Sequence, residues 1–473
     1  MIKLVAAVLS AAIALGLPHA ARAANDAELQ AIREEIKQLR QNYETRIEAL
    51  EKRLQEAEAK VQHAEASAVQ AQTTAVTAAV RPASEGAFNP AVSVILQGTY
   101  NNFSKDPNTF RIGGFIPAGG EGLGNRGFSL GESELNIAAN IDPYFRGNLT
   151  VALSPDNSVS VEEAFFQTLG LSNGFTLKGG RFFSSIGYLN EIHQHAWDFV
   201  DAPLAYQAFL GTGARGNYSD DGLQLKWIAP TDLFIELGAE AGSGKNFPGS
   251  DRDKNGIGSA ALFGHVGGDI GDSYAYRAGV SYLWTSPRDR QFNDLDSAGN
   301  AVVNSFSGDS RLWVADFILK WAPNGNPTLN NFKLQGEYLH RIETGTLNFD
   351  MNGAGVLGMP VAGGYSSNQS GWYLQGVYQF APRWRFGLRH DQLQAGTVNI
   401  AQVLNGTLTP QDFPTLVGHT PRRNTMMFDY SPSEFSRIRL QFARDESRPD
   451  GVTDNQLFLQ YLYSLGAHGA HKF

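Results

Sequence analysis

From residue 88 onward, apolar and polar residues alternate with period two in short runs of about 8–12 residues, the pattern of strands with one face in each of two environments. Sixteen such runs occur: 92–100, 129–141, 144–153, 161–169, 176–182, 222–228, 233–241, 260–269, 274–284, 311–322, 331–341, 371–380, 383–391, 423–430, 437–444 and 455–464. In 274–284, Tyr274, Tyr276, Ala278, Val280, Tyr282 and Trp284 share one face, and Arg277, Gly279 and Ser281 share the other. In 383–391, Trp384, Phe386 and Leu388 oppose Arg385, Arg389 and Asp391. Large aromatics recur near run ends, at Trp227, Trp284, Trp321, Trp372, Trp384 and Tyr430.

The connections decide what the strands build. Short turns such as 142–143, 229–232 and 381–382 alternate with longer links, at 101–128, 154–160, 183–221, 242–259, 285–310, 342–370, 392–422 and 445–454. Short turns at one rim and long loops at the other are what a membrane barrel produces, and a β-sandwich has no reason to show them. The expected fold is all-β, a 16-stranded antiparallel transmembrane β-barrel over residues 88–473. An even strand count puts both of its ends at the short-turn rim, the periplasmic one.

The segment before residue 88 reads differently. Residues 1–23 combine Lys3, a short apolar core, Pro18 and the small-x-small sequence Ala21-Arg22-Ala23, so they are expected to be a cleaved secretory signal. Between 26 and 68 there is neither Gly nor Pro. The larger apolar residues Leu29, Ile32, Ile36, Leu39, Tyr43, Ile47, Leu50, Leu54 and Val61 are spaced by threes and fours, a heptad seam with one stutter near Tyr43. Residues 24–68 are therefore expected to be an α-helical coiled-coil trimerisation stalk in the periplasm, where it would meet the cell wall. The alternative is a single helix packed on the barrel. An Ala/Thr/Gln/Ser linker, 69–87, joins it to the first strand.

Composition narrows the class. The 473 residues include 51 Gly, 11% aromatics and no Cys, with a formal charge of −9. Without cysteine, an exported protein has neither a disulfide framework nor thiol chemistry. Weak net acidity argues against nucleic acid as a partner.

One connection stands apart. Residues 183–221 carry Phe183, Tyr188, Trp197, Phe199, Tyr206 and Phe209, more apolar anchors than an exposed loop uses. This loop is expected to fold into the lumen and constrict it; an external lid or a trimer latch is the competing reading. Its acidic residues Glu191, Asp198 and Asp201 would face a basic wall of Arg385, Arg389, Arg437 and Arg439, giving a transverse field across the pore. A generic polar lining is the alternative. His193 and His195 fall on one side of an extended backbone with Glu191, and Asp198 is near in sequence. Imidazole with carboxylate suits zinc. His468 and His471 near the C-terminus form a second candidate pair. The competing readings are hydrogen bonds that pin the loop and an ordinary periplasmic tail. No other cofactor is expected.

The runs V-E-E-A-F-F-Q-T at 161–168, L-K-G-G-R-F-F-S-S-I-G at 177–187, D-A-P-L-A-Y at 201–206 and D-G-L-Q-L-K-W at 221–227 resemble the phosphate-selective porin O/P-like family of the outer membrane. The resemblance implies a homotrimer of 16-stranded barrels, each with its third loop folded inward. Phosphate selectivity is not implied, because the loop holds Arg215 as its sole basic residue between Phe183 and Asp221. The terminal Phe473 matches what the barrel assembly machinery reads in such proteins.

The expected function is a passive, water-filled diffusion channel for small hydrophilic solutes or ions in a Gram-negative outer membrane. The alternative is a zinc-related uptake channel using the loop's His and acidic residues. An energised receptor would need a plug inside a 22-stranded barrel, which the chain has no room for. An enzyme is not expected, since no Ser/His/acid or paired-acid constellation is evident.

Overall fold

The computed structural model describes residues 90–466, apart from 120–121, 214–215 and 251–254, together with nine positions between Glu34 and Lys52. The expected signal, the linker, Arg215, His468, His471 and Phe473 lie outside the described residues. The chain divides into two compact units, Met1–Ala87 and Phe88–Phe473. In the first, Glu34, Lys37, Gln38, Arg40, Gln41, Glu44, Thr45, Glu48 and Lys52 are α-helical and exposed. Arg40 and Glu44 pair at 3.5 Å across one helical turn. All nine are polar positions lying between the residues of the expected seam.

The second unit opens with β1 (Ala91–Phe103), β2 (Gly127–Leu130), β3 (Ser133–Asn140), β4 (Phe145–Leu153), β5 (Val159–Thr168) and β6 (Phe175–Phe183). It continues with β7 (Ser219–Ile228), β8 (Phe234–Gly242), β9 (Ser259–Ile270), β10 (Tyr274–Thr285), β11 (Arg290–Leu295) and β12 (Ala301–Trp321). The last six are β13 (Asn331–Phe349), β14 (Val361–Ala381), β15 (Trp384–Ile400), β16 (Arg422–Ser433), β17 (Ser436–Asp445) and β18 (Asp454–Gly466). Both β2 and β3 pair with β1, as two halves of one stave interrupted at Gly131 and Glu132. β11 pairs with β12 alone, as a hairpin arm beyond the wall. Sixteen staves remain, and β1 meets β18 antiparallel from Ser93↔Gly466 to Phe103↔Gln456, which closes the ring.

Alternation places the side chains. On β18, Leu457, Leu459, Tyr461, Tyr463 and Leu465 are exposed, while Gln456, Gln460 and Ser464 are buried. On β17, Ile438, Leu440 and Phe442 are exposed; Arg439 and Gln441 are buried. An apolar exterior around a polar interior inverts the arrangement of a water-soluble protein and fits a wall standing in lipid. Near the short-turn rim Trp384 stacks on Tyr430 across strands, with centroids 4.5 Å apart, as an interfacial aromatic pair.

The main departure from the sequence reading lies at the long-loop rim. β12, β13, β14 and β15 run for 21, 19, 21 and 17 residues, so much of 285–310, 342–370 and 392–422 is strand and not loop. Beyond the lipid both faces of a strand meet water or other loops. The apolar/polar alternation then fades although the hydrogen-bond ladder continues.

The apolar core sits inside the ring. Phe110, Ile112 and Phe115 from the first long loop join Ile186, Leu189, Trp197, Leu204, Tyr206 and Phe209 from the third, against Leu283, Leu312, Leu339 and Leu393 of the wall.

Leu440 is 49% exposed at the middle of β17. Leu440→Arg should cost about 2–4 kcal/mol when the barrel is unfolded by urea from lipid vesicles, as for a cation at the bilayer midplane. A change within about 0.5 kcal/mol, typical of a water-exposed surface site, would contradict a lipid-facing outer wall.

Candidate functional site: the inward loop and the lumen

The third long loop leaves β6 at Phe183 and rejoins the wall at Ser219. It makes short 3-10 turns at Leu189–Glu191 and Gln194–Ala196, then a helix at Leu204–Leu210 that begins after Pro203 and ends on left-handed Gly211. Phe183, Tyr188, Trp197, Phe199, Tyr206 and Phe209 are all buried. So few backbone groups of the loop pair within it that the barrel wall must supply partners.

Wall carboxylates and amides accept the loop's N–H groups. Glu337 accepts from the Tyr188 and Leu189 amides at 3.1 and 3.0 Å, and from the Tyr206 and Tyr373 hydroxyls at 2.8 and 2.6 Å. Asp391 accepts from the Leu204 amide, at the start of the helix, at 2.9 Å. Gln441 accepts from the Val200 amide at 2.7 Å. Arginines serve the opposite polarity. Arg389 donates to the Asp201 carbonyl at 2.9 Å and Arg439 to the Trp197 carbonyl at 2.9 Å. Arg437 donates to the His195 carbonyl and Arg341 to that of Ala208.

The acidic side chains of the loop are in contact with the basic wall, which corrects the expectation that a gap separates them. Asp198 pairs with Lys333 and, at 3.1 Å, with Arg385. Asp201 pairs with Arg423 and, at 2.9 Å, with Arg389. Burial by itself would raise both carboxyls. The adjacent Lys333 and Arg385, and Arg389 and Arg423, outweigh it and hold both below the usual carboxylate range. Glu191 lies apart, accepting from the Ser185 hydroxyl at 2.5 Å with Lys226 3.9 Å away. Of the expected basic wall, Arg385 and Arg437 line open space, whereas Arg389 and Arg439 are buried behind the loop.

His193 and His195 do not meet Glu191 or Asp198. They point to the opposite wall, where Glu134 on β3 and Glu162 and Glu163 on β5 surround them. A β-bulge makes this possible: Thr150 pairs with Glu163 and Val151 with Val161, so Glu162 is the extra residue and both glutamates turn toward the lumen. Burial disfavours charge on His193, yet the surrounding carboxylates, Glu134 foremost, push its imidazole well above its usual value.

A cavity of about 1350 Å³ runs from the short turns, near Asp272, Asn324 and Ser433, to the underside of the loop. One wall carries Glu134, Glu163, His193 and His195, with Arg146 and Lys178 on the neighbouring strands; another carries Lys320, Lys333, Arg385 and Arg437. Lys320 and Lys333 stand directly opposite each other on β12 and β13. Asp198 of the loop pairs with Lys333 and offsets the repulsion between these like charges. A second cavity of about 480 Å³ is lined by Glu162, Phe183, Leu210 and Asn217, with Lys245 and Phe247 of the next long loop. The sequence reading missed Glu134, Glu163, Lys320, Lys333, Glu337 and Arg423. Inward strand parity, applied to every charged residue and not only to the late arginines, would have found all but Glu163.

No family model matches the sequence. An "Uncharacterized protein" of Aquifex aeolicus (strain VF5) is 29% identical over 422 residues, covering 83% of this chain and 82% of that one. Among solved structures, the chain is similar to a loop L8 deletion mutant of OmpT, an outer membrane protein of Vibrio cholerae (10% identity, 80% of this chain and 99% of that chain, TM-score 0.48). It is also similar to OprB of Pseudomonas putida (13%, 80% and 94%, 0.47) and to the outer membrane channel DcaP of Acinetobacter baumannii (13%, 81% and 99%, 0.45).

Asp201→Asn removes one charge, while Arg389 keeps Asp391 and Arg423 keeps Asp445. The cost should therefore fall below the roughly 3–5 kcal/mol of a buried charge left with no partner. The expected readout is faster amide exchange and proteolysis confined to 184–218 with the strands still protected; unchanged loop protection would contradict the docking scheme.

Proposed function

We propose that this chain forms a passive, water-filled channel for small hydrophilic solutes or ions across a Gram-negative outer membrane, with the inward loop as its constriction. The observation that carries the reading is the closed wall, apolar outside, around a polar cavity lined by charges of both signs. Such a lumen has no use in a protein that merely anchors to lipid. Glu134 and Glu163 form the acidic pole, tempered by Arg146 and Lys178 beside them, and Lys320, Lys333, Arg385 and Arg437 the basic one, part of whose charge Asp198 offsets. A solute crossing between them meets a transverse field that orients dipoles and sorts charge. This relocates the acidic pole expected at Glu191, Asp198 and Asp201; Asp198 and Asp201 are neutralised by their partners. No chemical step is assigned to any residue.

The working unit is proposed to be a homotrimer held in part by the periplasmic stalk, 24–68, with Phe473 presented to the barrel assembly machinery. Deleting 26–68 should weaken or relocate the trimer without closing the pore, as read by native mass and conductance together. A deletion that abolishes conductance while leaving folded barrels would contradict this division of labour.

The purified protein in a planar bilayer should give discrete conductance steps; a silent protein would contradict the channel. In a KCl gradient, Lys320→Gln/Lys333→Gln should move the reversal potential toward cations and Glu134→Gln/Glu163→Gln toward anions. If neither pair moves it, these walls do not set the field.

A further inference from the structure

The cluster at the β5 bulge has an arrangement that a channel lining alone does not require. Donor atoms of Glu134, His193 and His195 all lie within 4.8 Å of one another, and those of Glu132, Glu134 and Glu162 form an overlapping group. His193 Nδ1 stands 3.2 Å from Glu134 Oε2 and 3.4 Å from Glu162 Oε2. His195 Nδ1 stands 2.9 Å from Glu134 Oε1. Around a tetrahedral zinc, donors about 2.0–2.2 Å from the metal stand roughly 3.3–3.6 Å from each other. The two His193 separations are close to that edge length.

The alignment of the atoms separates this from an ordinary hydrogen-bonded knot. His193 Nδ1 is close to two carboxylates, and neither is well aligned with the ring N–H direction. Glu162 is 8% exposed, and its Oε2, aimed at the same point, has no well-aligned donor among the described residues. Buried polar atoms without an aligned partner are costly unless something occupies the point on which they converge. The far side of His193 is already fixed, because its Nε2 lies 3.1 Å from Glu163 Oε2. A metal at Nδ1 would displace the proton there, while the Nε2–H held by Glu163 keeps the ring oriented, the carboxylate–histidine–metal arrangement of a ligating imidazole. Among the described residues the cationic partners of Glu134 and Glu162 are the two imidazoles, with no lysine or arginine paired to them.

We propose that Glu134, His193 and His195, completed by Glu162, form a divalent metal site of the zinc class that fastens the inward loop to β3 and β5. Two imidazoles with carboxylate oxygens favour such an ion over calcium or magnesium, which take oxygen shells. The bulge at Glu162 is then the device that brings a ligand and its orienting neighbour, Glu163, to the same side of one strand. Glu162 borders the smaller cavity, while Glu134, Glu163 and both histidines border the larger one. The metal would therefore stand between the two spaces, at the edge of the loop.

The test uses the full-length protein carrying His468→Ala/His471→Ala, which removes the tail histidines as an alternative site. The protein is exposed to zinc, dialysed against a weak chelator and assayed for retained metal by elemental mass spectrometry. One zinc per chain is expected, and cobalt in its place should show a tetrahedral absorption spectrum. Glu163→Gln should weaken retention about 10- to 100-fold, and His193→Ala/His195→Ala should abolish it in barrels whose heat-dependent gel shift shows them folded. Glu134→Gln gives the same loss without removing an imidazole, should the double histidine variant not fold. No retained zinc in the parent protein, or equal retention in the variants, would overturn the site. The assay reads bound metal and not flux, so its outcome is independent of whether the channel conducts.

Discussion

A strand in lipid has no water for its N–H and C=O groups, so every one of them must find a partner strand. That requirement closes β1 on β18 and makes the antiparallel ring of staves the one scaffold on which everything else is hung. Closure also decides where the polar side chains go. The outward face must be apolar, so residues such as Arg423, Arg439, Glu337 and Asp391 have only the lumen to occupy. A lumen filled with charged groups in turn needs counter-charges and hydrogen-bond partners of its own.

The third long loop supplies them. Its amides meet Glu337, Asp391 and Gln441; its carbonyls meet Arg389, Arg437 and Arg439; its carboxylates meet Lys333, Arg385, Arg389 and Arg423. Neither surface would be satisfied without the other. The loop is in this sense part of the wall, and its apolar anchors add a core that the ring alone does not have. Charges turned into the seam between loop and wall are neutralised there. Lys320 and Arg437 on one side, and Glu134 and Glu163 on the other, line the larger cavity.

The fold was largely legible because the barrel imposes period two on the sequence at every stave. All sixteen expected runs are strands, and the short turns fall where they were expected. What alternation does not report is strand outside the lipid, and the upper parts of β12 to β15 were accordingly read as loop. The site was legible only in part. Parity told that Arg385, Arg389, Arg437 and Arg439 face inward, but the depth and reach that pair Asp198 with Arg385 and Asp201 with Arg389 arise across the barrel and leave no local trace. Glu163 was hidden for a different reason. One extra residue at Glu162 breaks the parity count on β5, so Glu162 and Glu163 appear to face opposite ways when read from the sequence.

The central claim is that the loop is fixed inside the lumen against β15 to β17. The chain has no cysteine, so an engineered pair reports without background. The Val200 amide donates to the Gln441 side chain, and Val200→Cys/Gln441→Cys should be joined within one chain by a short bis-maleimide in intact outer membranes, giving a faster-migrating unfolded species. Single modification of both thiols by a bulky hydrophilic reagent applied outside, with no intrachain link, would place the loop outside the lumen and contradict the account.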